Sequence, residues 1–163
     1  NLSLESLRKF APTIPTLHEV ITSFGQKQHL FIELKAAPPK PELFLQELEP
    51  LSPGIDYHII SLDNAFFKGI ECISAKYKLL ISTTNTAKIV TESLANPFGG
   101  VLGHHALVND KYHQLLRNAN QKAGVGNINS KYSLYRAINH DIEWIFTDKA
   151  DKILALFSSL KDR

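Results

Sequence analysis

Methionine is absent from this chain, even at its first position, and cysteine occurs once, as Cys72. A lone cysteine excludes an internal disulfide and a cysteine-built metal centre. It reads as a structural thiol and favours a reducing cytoplasm, with a periplasmic or secreted location left open. Without an initiator methionine, Asn1 is expected to be a processed, cleaved or trimmed end, so the lack of a secretory signal there says little. No apolar run is long enough to cross a bilayer. Charge of one sign is lacking too: 18 basic against 16 acidic residues leave a net +2, which gives no global nucleic-acid or membrane signal. The basic residues are not interleaved with aromatics, as a nucleic-acid groove requires. There is no glycine-rich phosphate loop and no serine nucleophile elbow. Nor is there a repeat, a low-complexity tract or a dividing linker, so residues 1–163 are expected to form one domain. That length is short for a complete eight-stranded α/β barrel, which needs about 250 residues.

What is present is an alternation of strand-length apolar runs with longer helical patterns, the mark of α/β architecture on a parallel sheet. Thr16 as N-cap with Glu19 three residues on predicts a capping box. Strands are expected at Leu30–Lys35, His58–Leu62, Lys78–Ser82, Val125–Asn129 and Glu143–Phe146. Helices are expected over Glu42–Glu49, through Phe66, Phe67 and Ile70, over Thr86–Leu94 and Asp110–Ala123, from a Ser130 cap through Leu134 and Ile138, and over Lys152–Leu160. The stretch Pro97–His105 reads as a glycine-rich connection. Five strand–helix units are too many for a small sandwich and too few for a closed barrel.

Side chains alternate across a strand, so Leu30, Ile32 and Leu34 share one face and Phe31, Glu33 and Lys35 the other, the interior of a barrel. A carboxylate and an ammonium facing a barrel mouth are costly unless paired or bound. Two readings stand for Glu33 and Lys35. Either they receive a hard divalent cation and a phosphate, or they pair with each other at a strand end. Asp148 and Asn129 close later strands and are weaker candidates, with ligand contact set against capping or hydrogen-bonding roles. Ser61 and Asp63 close the second strand. His104 and His105 are adjacent and so a poor bidentate metal pair; a loop or turn role is expected of them. His18, His29, His58, His113 and His140 read as ordinary surface or boundary residues.

Five of these phrases, in order, resemble the glycerophosphodiester phosphodiesterase family: Ile14–Leu17, Ile32–Lys35, Ser61-Leu62, Gly126–Asn129 and Ile145–Asp151. The resemblance covers nearly the whole chain and implies the C-terminal part of a (β/α) TIM-type barrel, here incomplete at about five strand–helix units. It implies a phosphoric diester hydrolase of glycerol and lipid metabolism, cutting glycerophosphodiesters to glycerol 3-phosphate and an alcohol with Ca2+ or Mg2+. By the same resemblance Glu33 is a metal ligand and Lys35 contacts the substrate phosphate. Departures are Gly126 where a Trp is usual, Asp141 and Trp144 for glycines, and Ala150 for a proline. The family's His-Arg-Gly strand, Glu-x-Asp metal pair and His-Asp strand, which carry the acid, the base and further metal ligands, are missing here. The parent protein is therefore expected to be the enzyme and this chain alone to be inactive. Its open sheet edges are expected to be covered by a missing N-terminal barrel segment or a second copy. A non-catalytic binding module on the same fold, or another phosphate-handling barrel enzyme, is the alternative.

Overall fold

The computed structural model describes residues 3–161. Two short helices lead, α1 (Leu4–Phe10) and α2 (Leu17–Phe24). The expected capping box opens α2: the Glu19 amide donates to Thr16 Oγ1 at 3.1 Å, and the Thr16 amide donates to Glu19 Oε2 at 2.7 Å. That second bond holds the Glu19 carboxyl below its ordinary pKa. Helix α1 was not expected. Arg8 ties it to α2 through the Ile14 carbonyl and the Glu19 carboxylate.

Thereafter strands and helices alternate: β1 (Leu30–Leu34), α3 (Pro41–Leu48), β2 (Tyr57–Ser61), β3 (Lys78–Ser82), α4 (Thr86–Ala95), β4 (Gly100–His104), α5 (Asp110–Asn118), β5 (Lys122–Gly126), α6 (Lys131–Asn139), β6 (Trp144–Ile145) and α7 (Ala150–Lys161). All six strands are parallel, in the order β1-β2-β3-β4-β5-β6. The sheet is therefore built wholly from neighbours in sequence, as a barrel is.

The alternation expected for β1 holds. On the helix-facing side Leu34, Ile59 and Leu80 are buried with residues of α2 and α3, while Val101, Ala123 and Val125 are buried with α5, α6 and α7. On the concave side Ile60, Leu79 and Leu102 are buried beneath Phe31, Ile81, Trp144 and Phe146. The Phe31 ring lies edge-on to Phe146 at 4.9 Å and to Trp144 at 5.8 Å. Side chains from the two outermost strands thus meet across the interior, which requires the sheet to curl. The result is an incomplete α/β TIM-type barrel.

Six strands stand where five were expected. The additional one, β4, lies inside the stretch read as a glycine-rich connection, because glycine ordinarily weakens a strand. Here it is required by close backbone approach. Gly100 has φ +153°, and a Cβ on it would stand 1.9 Å from the Lys122 carbonyl oxygen of β5. Two boundaries shift with it. Helix α5 ends at Asn118, with Asn120 just beyond in the left-handed region at φ +56°, and β5 begins three residues earlier than expected. The helix expected through Phe66, Phe67 and Ile70 is a single tight turn, Asn64–Phe67, whose entry Asp63 caps by accepting from the Ala65 amide at 2.9 Å.

Buried polar groups are paired. Ser93 Oγ donates to Gln121 Oε1 at 2.7 Å, and Gln121 Nε2 donates to the carbonyls of Ser93 and Asn96 at 2.7 and 3.0 Å, locking α4 to β5. Lys78 is 5% exposed, and its Nζ donates to the Ile70 carbonyl at 2.8 Å. Burial lowers its pKa.

Candidate functional site

The C-terminal ends of the strands form one mouth of the partial barrel, where α/β barrel enzymes carry their chemistry. Glu33 is on β1 and Lys35 one residue past its end, both in the inward register of Phe31. They pair with each other, Lys35 Nζ donating to Glu33 Oε1 at 3.0 Å. The Lys35 side chain is 77% exposed and that of Glu33 33%, so the ion pair is wet and weakly held. Such a pair can open to take a ligand at little cost.

Across the sheet, Asn129 joins the loops after β5 and β6. Its Oδ1 accepts from Thr147 Oγ1 at 2.9 Å and from the Asp148 amide at 3.1 Å, while its Nδ2 donates to Asp148 Oδ2 at 3.1 Å. Of the two roles open to Asp148, the structure shows a hydrogen bond, to Asn129. Ser61 is fully buried and donates to the Leu34 carbonyl at 3.0 Å, so it fastens β2 to β1 and has no exposed surface to offer a ligand.

A divalent metal of the kind the resemblance implies is not fitted by these residues as they stand. Among the described residues no group of three or more His, Cys, Asp or Glu side chains is placed to hold a metal ion. Glu33 is a single carboxylate already paired with an ammonium. A hard cation takes six or more oxygen ligands.

His104 and His105 do not both sit in a loop: His104 is the last residue of β4, in register with Gly126 of β5. Leu102 lies in the concave cluster, so alternation turns His104 to the same inward side. The two imidazoles stack with centroids 4.3 Å apart.

Sequence reasoning also passed over the opposite mouth. His58 is 8% exposed, not a surface residue, and its Nδ1 lies 2.8 Å from His29 Nε2. Burial, then the neighbouring His29 and Lys122, pushes its pKa down to about 4. The period-two reading of β1, carried back to His29 and across to His58, would have placed both on the inward face. They border a cavity of about 500 Å3 lined also by Tyr77, Lys122, Glu143 and Trp144 at the N-terminal ends of the strands. A cavity of about 600 Å3 lies on the outer layer between α2 and α3, lined by His18, Glu47 and Leu51.

No helix is long and apolar enough to cross a membrane among the described residues. No family model matches the chain, and no curated protein sequence does. Solved structures do. A protein from Galdieria sulphuraria, described as a glycerophosphodiester phosphodiesterase, aligns over 97% of this chain and 71% of its own, with TM-score 0.77 and 14% identity. An Oleispira antarctica phosphodiesterase, solved with the product sn-glycerol-3-phosphate, aligns over 89% of this chain and 62% of its own, with TM-score 0.71 and 17% identity. A glycerophosphodiester phosphodiesterase from Parabacteroides distasonis aligns over 90% and 65%, with TM-score 0.66 and 15% identity. The chain spans about three fifths of the length of such structures. At these identities the likeness is one of fold: this chain is similar to a part of the barrel of those glycerophosphodiester phosphodiesterases.

Proposed function

We propose that this chain is the C-terminal part of a metal-dependent hydrolase that cuts glycerophosphodiesters to glycerol 3-phosphate and an alcohol. The observation that carries the reading is the Glu33–Lys35 pair at the C-terminal mouth of a parallel barrel sheet. Lys35 exchanges Glu33 for a phosphate oxygen, a charge-assisted hydrogen bond in place of an exposed ion pair. Glu33, freed from Lys35, would supply one oxygen to Ca2+ or Mg2+; because no metal group of three ligands stands among the described residues, the other ligands, and the acid and base, would come from outside these six strands. Asn129 and Asp148 shape the far side of the mouth.

Eight strands close a barrel of this type, so two more would complete this one. Among the described residues both β1 and β6 have a partner strand on one side alone, and open edges template association. A further barrel segment is the expected partner, with a second copy of the chain as its substitute.

The test is release of glycerol 3-phosphate from a glycerophosphodiester with Ca2+ or Mg2+ present. The chain alone is expected to release none, and the longest natural form to turn over. Lys35→Ala in that form is expected to lower kcat/KM by about 100-fold, as loss of a charge-stabilising contact does. A longest form that neither turns over nor binds the cation would overturn the reading. It would favour the second one, a binding module that keeps the fold, to which the lack of a three-ligand metal group among the described residues also points.

A further inference from the structure

The C-terminal mouth holds one more polar group on its inward side, His104. His104 Nδ1 accepts a hydrogen bond from the Ala106 amide at 3.1 Å. An imidazole nitrogen that accepts carries no proton, so the neutral ring has its proton on Nε2. Nε2 has no protein partner among the described residues. The ring is also held in place. His105 stacks on it, and His105 Nδ1 donates to the Gly126 carbonyl at 3.3 Å, a carbonyl that the His105 amide also reaches at 3.3 Å. Gly126 itself faces the concave side, two residues after Gly124, whose missing side chain would strike Leu102 and Trp144. A Cβ on Gly126 would meet only the Gly103 carbonyl oxygen, at 3.8 Å. Beside the fixed imidazole there is therefore room, on the same face and in the same register.

We propose that His104 is a ligand-binding residue of this mouth, its Nε2–H donating to a phosphoryl oxygen of a ligand seated over Gly126. The inference rests on the reading that the mouth takes a phosphate ester, and it gives that site a wall and a donor opposite the charge of Lys35. Phosphoryl oxygens are common to a phosphodiester's glycerol phosphate moiety and to free phosphate. The former is the occupant that uses the room over Gly126 as well as the donor.

The test is a titration of the full chain with sn-glycerol 3-phosphate, and separately with inorganic phosphate, followed by imidazole and amide nitrogen NMR. Before ligand, the His104 ring is expected to show the Nε2–H tautomer. On adding sn-glycerol 3-phosphate its Nε2 resonance is expected to move together with the amides of Gly126 and Lys35. His104→Ala is expected to raise the Kd roughly tenfold, the value of one hydrogen bond to a charged group, and His104→Gln, which restores an amide donor, to recover most of it. Gly126→Val, which fills the room and leaves the donor, is expected to weaken sn-glycerol 3-phosphate more than inorganic phosphate; equal weakening would place free phosphate there and overturn the glycerol phosphate assignment. An Nδ1–H tautomer overturns the proposal. So does an unchanged Kd in His104→Ala when Lys35 still responds, and that result leaves the proposed function standing. Silence at both Lys35 and His104 overturns the two together.

Discussion

His58 donates a hydrogen bond to His29. The His29 Nδ1 lies 2.7 Å from the Ile55 carbonyl oxygen, which can only accept, so Nδ1 carries a hydrogen. In the neutral ring His29 Nε2 is then an acceptor, and the nitrogen 2.8 Å from it, His58 Nδ1, is the donor. The chain of bonds runs in one direction, from His58 through His29 to the Ile55 carbonyl.

Acid should break that chain. The folded pKa of His58 is about 4, below the ordinary 6.5, so between those values the unfolded state binds the proton more readily. Stability is therefore complete above about pH 6.5 and is lost as pH falls toward 4, by at most roughly 3 kcal/mol. Urea midpoints measured across this window in wild type and His58→Phe, whose ring keeps the stacking on Phe31, check it. The variant's curve should be flatter by that amount, and parallel curves would exclude His58 as the cause.

The charged mouth should be separable from the fold. Lys35→Ala and Glu33→Gln remove an exposed ion pair and are expected to shift stability by less than about 0.5 kcal/mol. A larger loss in denaturant titrations would mean the pair serves the structure.

Asn129→Ala removes one side chain that serves three bonds to Thr147 and Asp148. The expected cost is about 1–2 kcal/mol, since the groups left behind are partly solvated. Hydrogen exchange should quicken at Asp148, whose amide loses its acceptor. Exchange unchanged there would show that the loop is held by other contacts.

Two glycines on adjacent strands should behave oppositely. Gly100→Ala drives a Cβ into the Lys122 carbonyl and is expected to cost more than about 3 kcal/mol. Gly126→Ala makes only an ordinary contact with the Gly103 carbonyl, at 3.8 Å, and should cost less than about 1 kcal/mol. Thermal melts of the pair suffice, and equal losses would refute the packing at β4 and β5.

Much of this architecture is legible because its signals are local. Thr16 and Glu19 announce α2, and the alternation Phe31-Glu33 against Ile32-Leu34 assigns the two faces of β1 before any contact is known. Strand β4 escapes because its reason is not local: Gly100 is glycine on account of Lys122, a residue on another strand. His58 escapes for the same cause, since its burial is made by Phe31 and Trp144 arriving from β1 and β6. At the mouth, Glu33 and Lys35 are readable as a pattern, whereas the claim of His104 depends on the Ala106 amide and on the room at Gly126.

Every strand of this sheet pairs with the strand before it in the chain. The sheet can therefore be laid down in order of synthesis, each hairpin-sized unit docking on the last as it leaves the ribosome. The meeting of Phe31 with Phe146 is different, because it joins the two edges of the sheet, 115 residues apart along the chain by their numbers. Until Trp144 and Phe146 emerge, the aromatic floor of the interior stays wet and the growing sheet has nothing to curl around. The β6 edge thus acts as the clasp of these six strands, and their curvature waits on its arrival.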